Sequence, residues 1–170
     1  MEKFIGCSGF HYSDWKGKFY PEDIKKESWL EYYSQHFNSV EINNTFYKIP
    51  EKDALKSWLG QTPPGFSFSL KGSRYITHMK KLKDCRKHAK KFYDAIEPLK
   101  KKLGAVLWQL PGNLHRNDAK IEDFCKELDN NITNVIEFRH ISWFKREIYD
   151  LLSSYDVTVC SLSAPGDLPE

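Results

Sequence analysis

Ser39-Val40-Glu41-Ile42-Asn43-Asn44-Thr45-Phe46-Tyr47 and Asn134-Val135-Ile136-Glu137-Phe138-Arg139-His140-Ile141-Ser142-Trp143 decide how this chain folds. In each, apolar residues alternate with ionisable or amide residues over one short run, and the chain then opens into a polar, aromatic loop. A period of two puts Val40 and Ile42 on one side of a strand and Glu41 and Asn43 on the other. It separates Ile136 and Phe138 from Glu137 and Arg139 in the same way. A short run that carries ionisable groups toward its C-terminal end is how a parallel strand delivers chemistry from that end. Both glutamates are expected to point the same way.

The alternation marks six candidate strands: Phe4 to Ser8, Ser39 to Asn43, Phe66 to Lys71, Gly104 to Leu110, Val135 to Arg139 and Val157 to Ser161. Between them lie helical spacings, clearest at Ala89, Phe92, Ile96 and Leu99 and at Ile121, Phe124, Cys125 and Leu128. Further helices are predicted from about Ser28 to Phe37, through Ala54, Leu55 and Trp58, and from about Arg146 to Tyr155. Pro63-Pro64-Gly65 and Pro111-Gly112 punctuate the elements. The order is β-α-β-α throughout. An open doubly wound sheet is covered by helices on both faces, so its strands read as nearly continuous apolar runs. These strands keep one polar face, which favours a (β/α) barrel of about six parallel strands.

Composition agrees with one globular domain over residues 1–170, since 40% hydrophobic and 15% aromatic content suffices for a core. No apolar run approaches the roughly 18 residues of a membrane helix, and the start carries no secretory pattern, so a cytoplasmic location is expected. Cys7, Cys85, Cys125 and Cys160 are far apart and form no C-x-x-C pair, so they read as reduced packing thiols. The net charge of +3 is unevenly spread: Lys71 to Lys102 holds twelve Lys or Arg against Asp84, Asp94 and Glu97, or +9 locally. That run is either a nucleic-acid-binding face or a solvated helix surface.

Glu41 and Glu137 are the candidate acid/base pair, suited to hydrolysis or to contacting a divalent metal, or else they neutralise buried cations such as Arg139 or Lys71. Arg139 and Lys71 are the candidate anion holders, one a planar fork and the other a point charge. His140, after the fifth strand, joins the catalytic candidates, and His78, after the third, joins the ligand contacts. Asn43, Thr45 and Gln109 would orient a ligand by neutral hydrogen bonds. Tyr12, Trp15 and Trp143 would wall its pocket with aromatic faces, while Trp58 and Trp108 are expected in the core. No H-x-H or H-E-x-x-H spacing supports a metal, and no P-loop, G-x-G-x-x-G or G-x-S-x-G motif is present. The resulting expectation is a pocket protein, hydrolase-like if an enzyme, for a small polar or anionic ligand such as a phosphorylated one; the alternatives are a nucleic-acid-binding module on the basic 71–102 segment and a catalytically inactive fragment or subunit of a split barrel.

Ile5-Gly6-Cys7-Ser8-Gly9-Phe10 with Tyr12 and Trp15, Phe19-Tyr20-Pro21, Val40 to Tyr47, Gly104 to Pro111, and Glu137-Phe138-Arg139-His140 with Ser142-Trp143-Phe144 resemble the YecE-like family, also called domain of unknown function 72. The resemblance spans the chain in order and implies a TIM-barrel-like fold with a pocket at the C-terminal ends of the strands. Two departures stand out. A Trp is common in the family where Phe10 stands, and members usually continue with a Tyr-x-Arg-x-His-Gly strand. Against an eight-stranded barrel, the expectation is that the last two βα units are lacking here. The first and sixth strands would then be open edges that invite self-association or a complementing chain.

Overall fold

The computed structural model describes residues 3–163, and its strands follow the alternation closely. They are β1 (Gly6–Ser8), β2 (Ser39–Ile42), β3 (Ser67–Lys71), β4 (Leu103–Gln109), β5 (Asn134–Glu137) and β6 (Val157–Val159). All pair in parallel, in the order β1-β2-β3-β4-β5-β6. Each crossover carries one helix: α1 (Trp29–Ser34), α2 (Lys52–Gln61), α3 (Arg86–Ile96), α4 (Asp118–Lys126) and α5 (Arg146–Ser154). A doubly wound sheet reverses at a switch point, whereas here each new strand is added on the same side of the last. The fold is α/β and TIM-barrel-like, an incomplete (β/α) barrel whose edges among the described residues are β1 and β6. No helix among those residues is long and apolar enough to cross a membrane.

Burial explains the winding. Val40, Ile42, Phe68, Leu70, Val106, Trp108, Ile136 and Phe138 are buried on the face that the helices cover. The α3 face of Ala89, Phe92, Tyr93 and Ile96 and the α4 face of Ile121, Phe124 and Cys125 are buried with them. Trp108 joins the two helices, its ring meeting Phe92, Tyr93 and Phe124 at centroid distances of 5.6, 6.1 and 5.4 Å. Burying each such side chain contributes about 1.5–3 kcal/mol, so this face dominates stability. A Cβ on Gly72 would come within 2.3 Å of the Trp108 ring, so only glycine lets the chain leave β3 across it.

Two buried polar groups set register from the helix side. The Tyr33 hydroxyl accepts from the Cys7 amide at 2.6 Å and donates to the Ser39 carbonyl at 3.0 Å, tying β1 and β2 to α1. The Asn134 carbonyl oxygen accepts from the Tyr93 hydroxyl at 2.6 Å and from the Trp108 indole at 3.0 Å. Its amide donates to the Asp129 and Ile132 carbonyls at 3.0 and 2.8 Å. One side chain therefore satisfies two buried donors and two part-buried carbonyls.

Element ends differ from the alternation for local reasons. β1 begins at Gly6 because the Asn38 side chain, accepting from the Ile5 amide and donating to the Lys3 carbonyl, replaces a strand partner there. β5 stops at Glu137 and β6 at Val159, so Arg139 and Ser161 lie beyond strand pairing. The first helix is shorter than its pattern, Trp29–Ser34, behind a 3-10 turn at Lys26–Ser28. The third narrows into a 3-10 turn at Glu97–Leu99, where Pro98 supplies no amide hydrogen.

Asn134→Ala should cost about 3 kcal/mol, because it leaves several buried donors and acceptors without partners, and should lower the melting temperature by roughly 6–12 °C. Thermal unfolding followed by circular dichroism measures it.

Candidate functional site

The face turned away from the helices collects the polar side chains. In register, Ser8 stands beside Glu41, Glu41 beside Ser69, Lys71 beside Leu107, and Gln109 beside Glu137. Glu137 sits four residues further along its strand than the level of Glu41, which passes through Ser69 to Ala105. Tilted barrel strands are offset by about one residue per strand, and three strand steps separate the two. The tilt therefore brings the two carboxylates to nearly the same height.

Each carboxylate has its own set of partners. The Ser8 hydroxyl donates to Glu41 at 2.8 Å and accepts from the Asn43 amide at 2.8 Å, which makes a chain from loop to strand. Glu137 is only 5% exposed and accepts from Gln109 Nε2 at 2.6 Å and from Arg139 Nε. Gln109 thereby holds the Glu137 carboxylate, which in turn holds the guanidinium through Nε. Among the described residues no acceptor meets the two terminal nitrogens of Arg139, whose side chain is 38% exposed. Glu137 is an anchor for Arg139, and Glu41 is the more accessible acid.

Cys160 reports that these groups share one space. Burial pushes its thiol up, the Glu137 and Glu41 carboxylates push it further, and Arg139 opposes them. Sequence reading missed this residue, treating it as packing, because position 160 follows the last residue of β6 and its parity alone carries no chemical signal. Ser8 was passed over for lack of a nucleophile motif, yet it is the bridge between Asn43 and Glu41.

Several expected ligand contacts prove to be structural. Thr45 is fully buried, and its hydroxyl lies 2.9 Å from the Ile42 carbonyl and 2.7 Å from the Lys71 carbonyl, so it links the ends of β2 and β3 and does not face a ligand. Trp143 is also fully buried, stacked on Phe138 at 5.0 Å and 7°, with its indole donating to the Leu114 carbonyl at 2.6 Å; it belongs to the core. Trp15 is half-buried among Tyr12, Phe19 and Tyr20 and supports the loop after β1. Trp58 and Trp108 are core residues as expected.

Tyr12 does reach a cavity. Its hydroxyl donates to the Ser8 carbonyl, and it lines a cleft of about 430 Å³ with Gly9, Phe10, His11, Asn43 and Trp58. Gly9, at φ +102°, makes the turn that folds Tyr12 back over β1. The cleft shares Ser8 and Asn43 with the hydrogen-bond chain that ends on Glu41, and neither Glu41 nor Glu137 lines it. His140 is placed at the mouth of β5, its ring stacked on His115 at 4.0 Å. His140 Nδ1 accepts from the Ser142 amide at 3.2 Å, so Nε2 carries the hydrogen of the neutral ring. Lys71 and His78 lie together over Phe46, on the β3 side of the face.

The basic run divides between structural contacts and an exposed helix face. Lys102 donates to the Leu59 and Thr62 carbonyls and caps α2, and Lys90 pairs with Asp94. Arg86, Lys87, Lys90 and Lys91 are exposed opposite the buried stripe of α3. Among the described residues no group of three or more His, Cys, Asp or Glu side chains is arranged to hold a metal.

Charge around Cys160 yields a signed test. Glu41→Gln should speed alkylation of Cys160 by iodoacetamide at pH 8 about twofold or more, since losing a nearby negative charge favours the thiolate. Arg139→Gln should slow it. Peptide mapping separates Cys160 from Cys85 and Cys125, whose buried thiols are pushed up to about 11 and about 12. The Cys160 rate should rise with pH in every variant.

Comparison with known proteins places this geometry in a family. The family described as "Protein of unknown function DUF72" matches residues 4–169. The UPF0759 protein YecE of Escherichia coli is 30% identical over 118 residues, covering 69% of this chain and 43% of that protein. The UPF0759 protein YunF of Bacillus subtilis is 26% identical over 160 residues, covering 89% of this chain and 56% of its own length. The chain thus spans about half the length of these relatives. A crystal structure of a DUF72 family protein from Thermotoga maritima superposes with a TM-score of 0.84 at 32% identity, covering 98% of this chain and 68% of that one. One from Enterococcus faecalis, at 20% identity and a TM-score of 0.74, covers 92% and 59% and shares the fold. With its strand order, its polar face and a match over nearly every residue, the chain belongs to the DUF72, or YecE-like, family.

Proposed function

We propose that the polar face of the sheet is a binding site for a small anionic ligand, with hydrolase-like acid/base chemistry at Glu41. The observation that carries this reading is the held guanidinium. Glu137, itself held by Gln109, fixes Arg139 through Nε, and among the described residues the two terminal nitrogens of Arg139 meet no acceptor. A planar fork pre-oriented in this way suits a carboxylate, a phosphate or a multiply oxygenated ring, and it loses little entropy on binding. Ser8 and Asn43 orient Glu41 beside the cleft, within the field that also reaches Cys160.

Two equal carboxylates of the glycosidase kind are less well supported, because Glu137 is buried and committed to two donors. The roles divide as follows: Glu41 moves a proton, Arg139 holds the anion, Glu137 and Gln109 position Arg139, and His140 guards the rim with its Nε2 hydrogen. The full activity of the longer relatives, and any complementing of the β1 and β6 edges, belong to the same proposal.

Sugar phosphates and sugar acids titrated against thermal stability test the binding step. A ligand present at about 100 times its Kd should stabilise by about 2.7 kcal/mol and raise the melting temperature by roughly 5–11 °C. Arg139→Lys keeps a charge beside buried Glu137 but removes the fork, and should weaken the best ligand about tenfold or more. Glu41→Gln should bind that ligand while losing any turnover of it. No stabilisation by any member of the panel, or equal stabilisation of the Arg139→Lys variant, would refute the site.

A further inference from the structure

Beyond Lys71 the chain crosses Gly72 and enters a π-helical turn, Tyr75–Met79. Such turns widen the backbone by one residue and recur at functional sites. Here the turn brings three nitrogen-bearing side chains against two rings from the loop after β2. Lys71 Nζ lies 5.2 Å from the Phe46 ring centre, and the His78 ring meets the same phenyl edge-on at 5.0 Å. The Arg74 guanidinium lies 5.7 Å from the centre of Tyr47, and the Phe46 and Tyr47 rings are themselves 5.0 Å apart. We propose that Lys71, Arg74 and His78, set around Phe46 and Tyr47, form a niche for the phosphate group of a small phosphorylated ligand.

The charge balance of the niche supports an anion. Among the described residues no carboxylate forms an ion pair with Lys71, Arg74 or His78, although nine such pairs form elsewhere. Like charges gathered without a counter-ion repel one another, and a bound dianion relieves that cost. Burial, then Arg74, then Lys71 hold the His78 imidazole low, so the three groups share one field. The Thr77 hydroxyl lies 2.9 Å from His78 Nδ1, which leaves Nε2 for a ligand. A fork, a point charge and an imidazole together offer more donors than two carboxylate oxygens can use, and they match the oxygens of a phosphate. Tyr47, 71% exposed, leaves a face for the organic part of the molecule.

The niche serves the same ligand as the concave face and rests on that reading for the rest of the molecule, whose oxygens would meet Arg139 and Glu41. Register separates Lys71 on β3 from Glu137 on β5 by two strand steps and two residues along the strand, or about 12 Å at the usual spacings. The phosphate alone would need only the niche.

Inorganic phosphate titrated into the 170-residue chain at constant ionic strength, with chloride as control, tests this directly. The readout is the His78 ring signal in 1H–13C NMR. A saturable shift should appear in phosphate and not in chloride. Arg74→Ala, a change at an exposed position with an unchanged melting temperature in the absence of phosphate, should raise the Kd about tenfold or more. Arg139→Lys should leave it within about twofold. An unsaturable shift, equal movement in chloride, or binding lost in Arg139→Lys but intact in Arg74→Ala would overturn the niche. The last of these outcomes would keep the anion at Arg139 and preserve the proposed function. Conversely, a phosphate-dependent His78 shift alongside sugar phosphates that ignore Arg139→Lys would retain the niche and discard the concave site.

Discussion

Each strand of this sheet must bury one face against a helix, and that requirement governs everything else in the molecule. Phe68, Leu70, Val106, Trp108 and Ile136 satisfy it on the outer side. Because the side-chain period is two, the residues between them have nowhere to go but the opposite face. Six strands added in one direction therefore gather Ser8, Glu41, Ser69, Lys71, Gln109 and Glu137 on a single surface. A slip of one residue in β2, β3 or β5 would drive Glu41, Lys71 or Glu137 into the helix layer. The polar face and the hydrophobic core are two consequences of one pattern.

Register this strict needs directional interactions as well as burial. Tyr33 and Asn134 supply them from within the apolar layer, one tying β1 to β2 and the other tying β4 and β5 to α3. Thr45 does similar work at the top of the sheet, joining the carbonyls that end β2 and β3. These buried hydrogen bonds are strong because water cannot compete for them. They leave the side chains of the open face free of structural duty, with Glu137 the exception.

Much of this was legible in the chain itself. Alternation located all six strands and put Glu41 with Asn43 and Glu137 with Arg139 on their correct faces. It anticipated the Glu137–Arg139 pairing as one of two alternatives. Thr45 and Trp143 proved fully buried for a common reason: a polar or aromatic residue just past a strand faces either the site or the layer beneath it, and spacing does not choose. Arg74 was overlooked because the turn that carries it is π-helical, a geometry with no hydrophobic period. Cys160 and Ser8 matter only through neighbours on other strands.

The sequence by itself determined the parallel βα order, the helix-covered face and the identity of the polar residues opposite it, because these depend on local periodicity and burial. The tertiary structure alone decided which carboxylate is an anchor and which is accessible, since that depends on Arg139 and Gln109 arriving from different positions in the chain. It also decided that Lys71, Arg74 and His78 meet around Phe46 and Tyr47. Residues distant in sequence acquire a shared electrostatic field only when strand pairing brings them together.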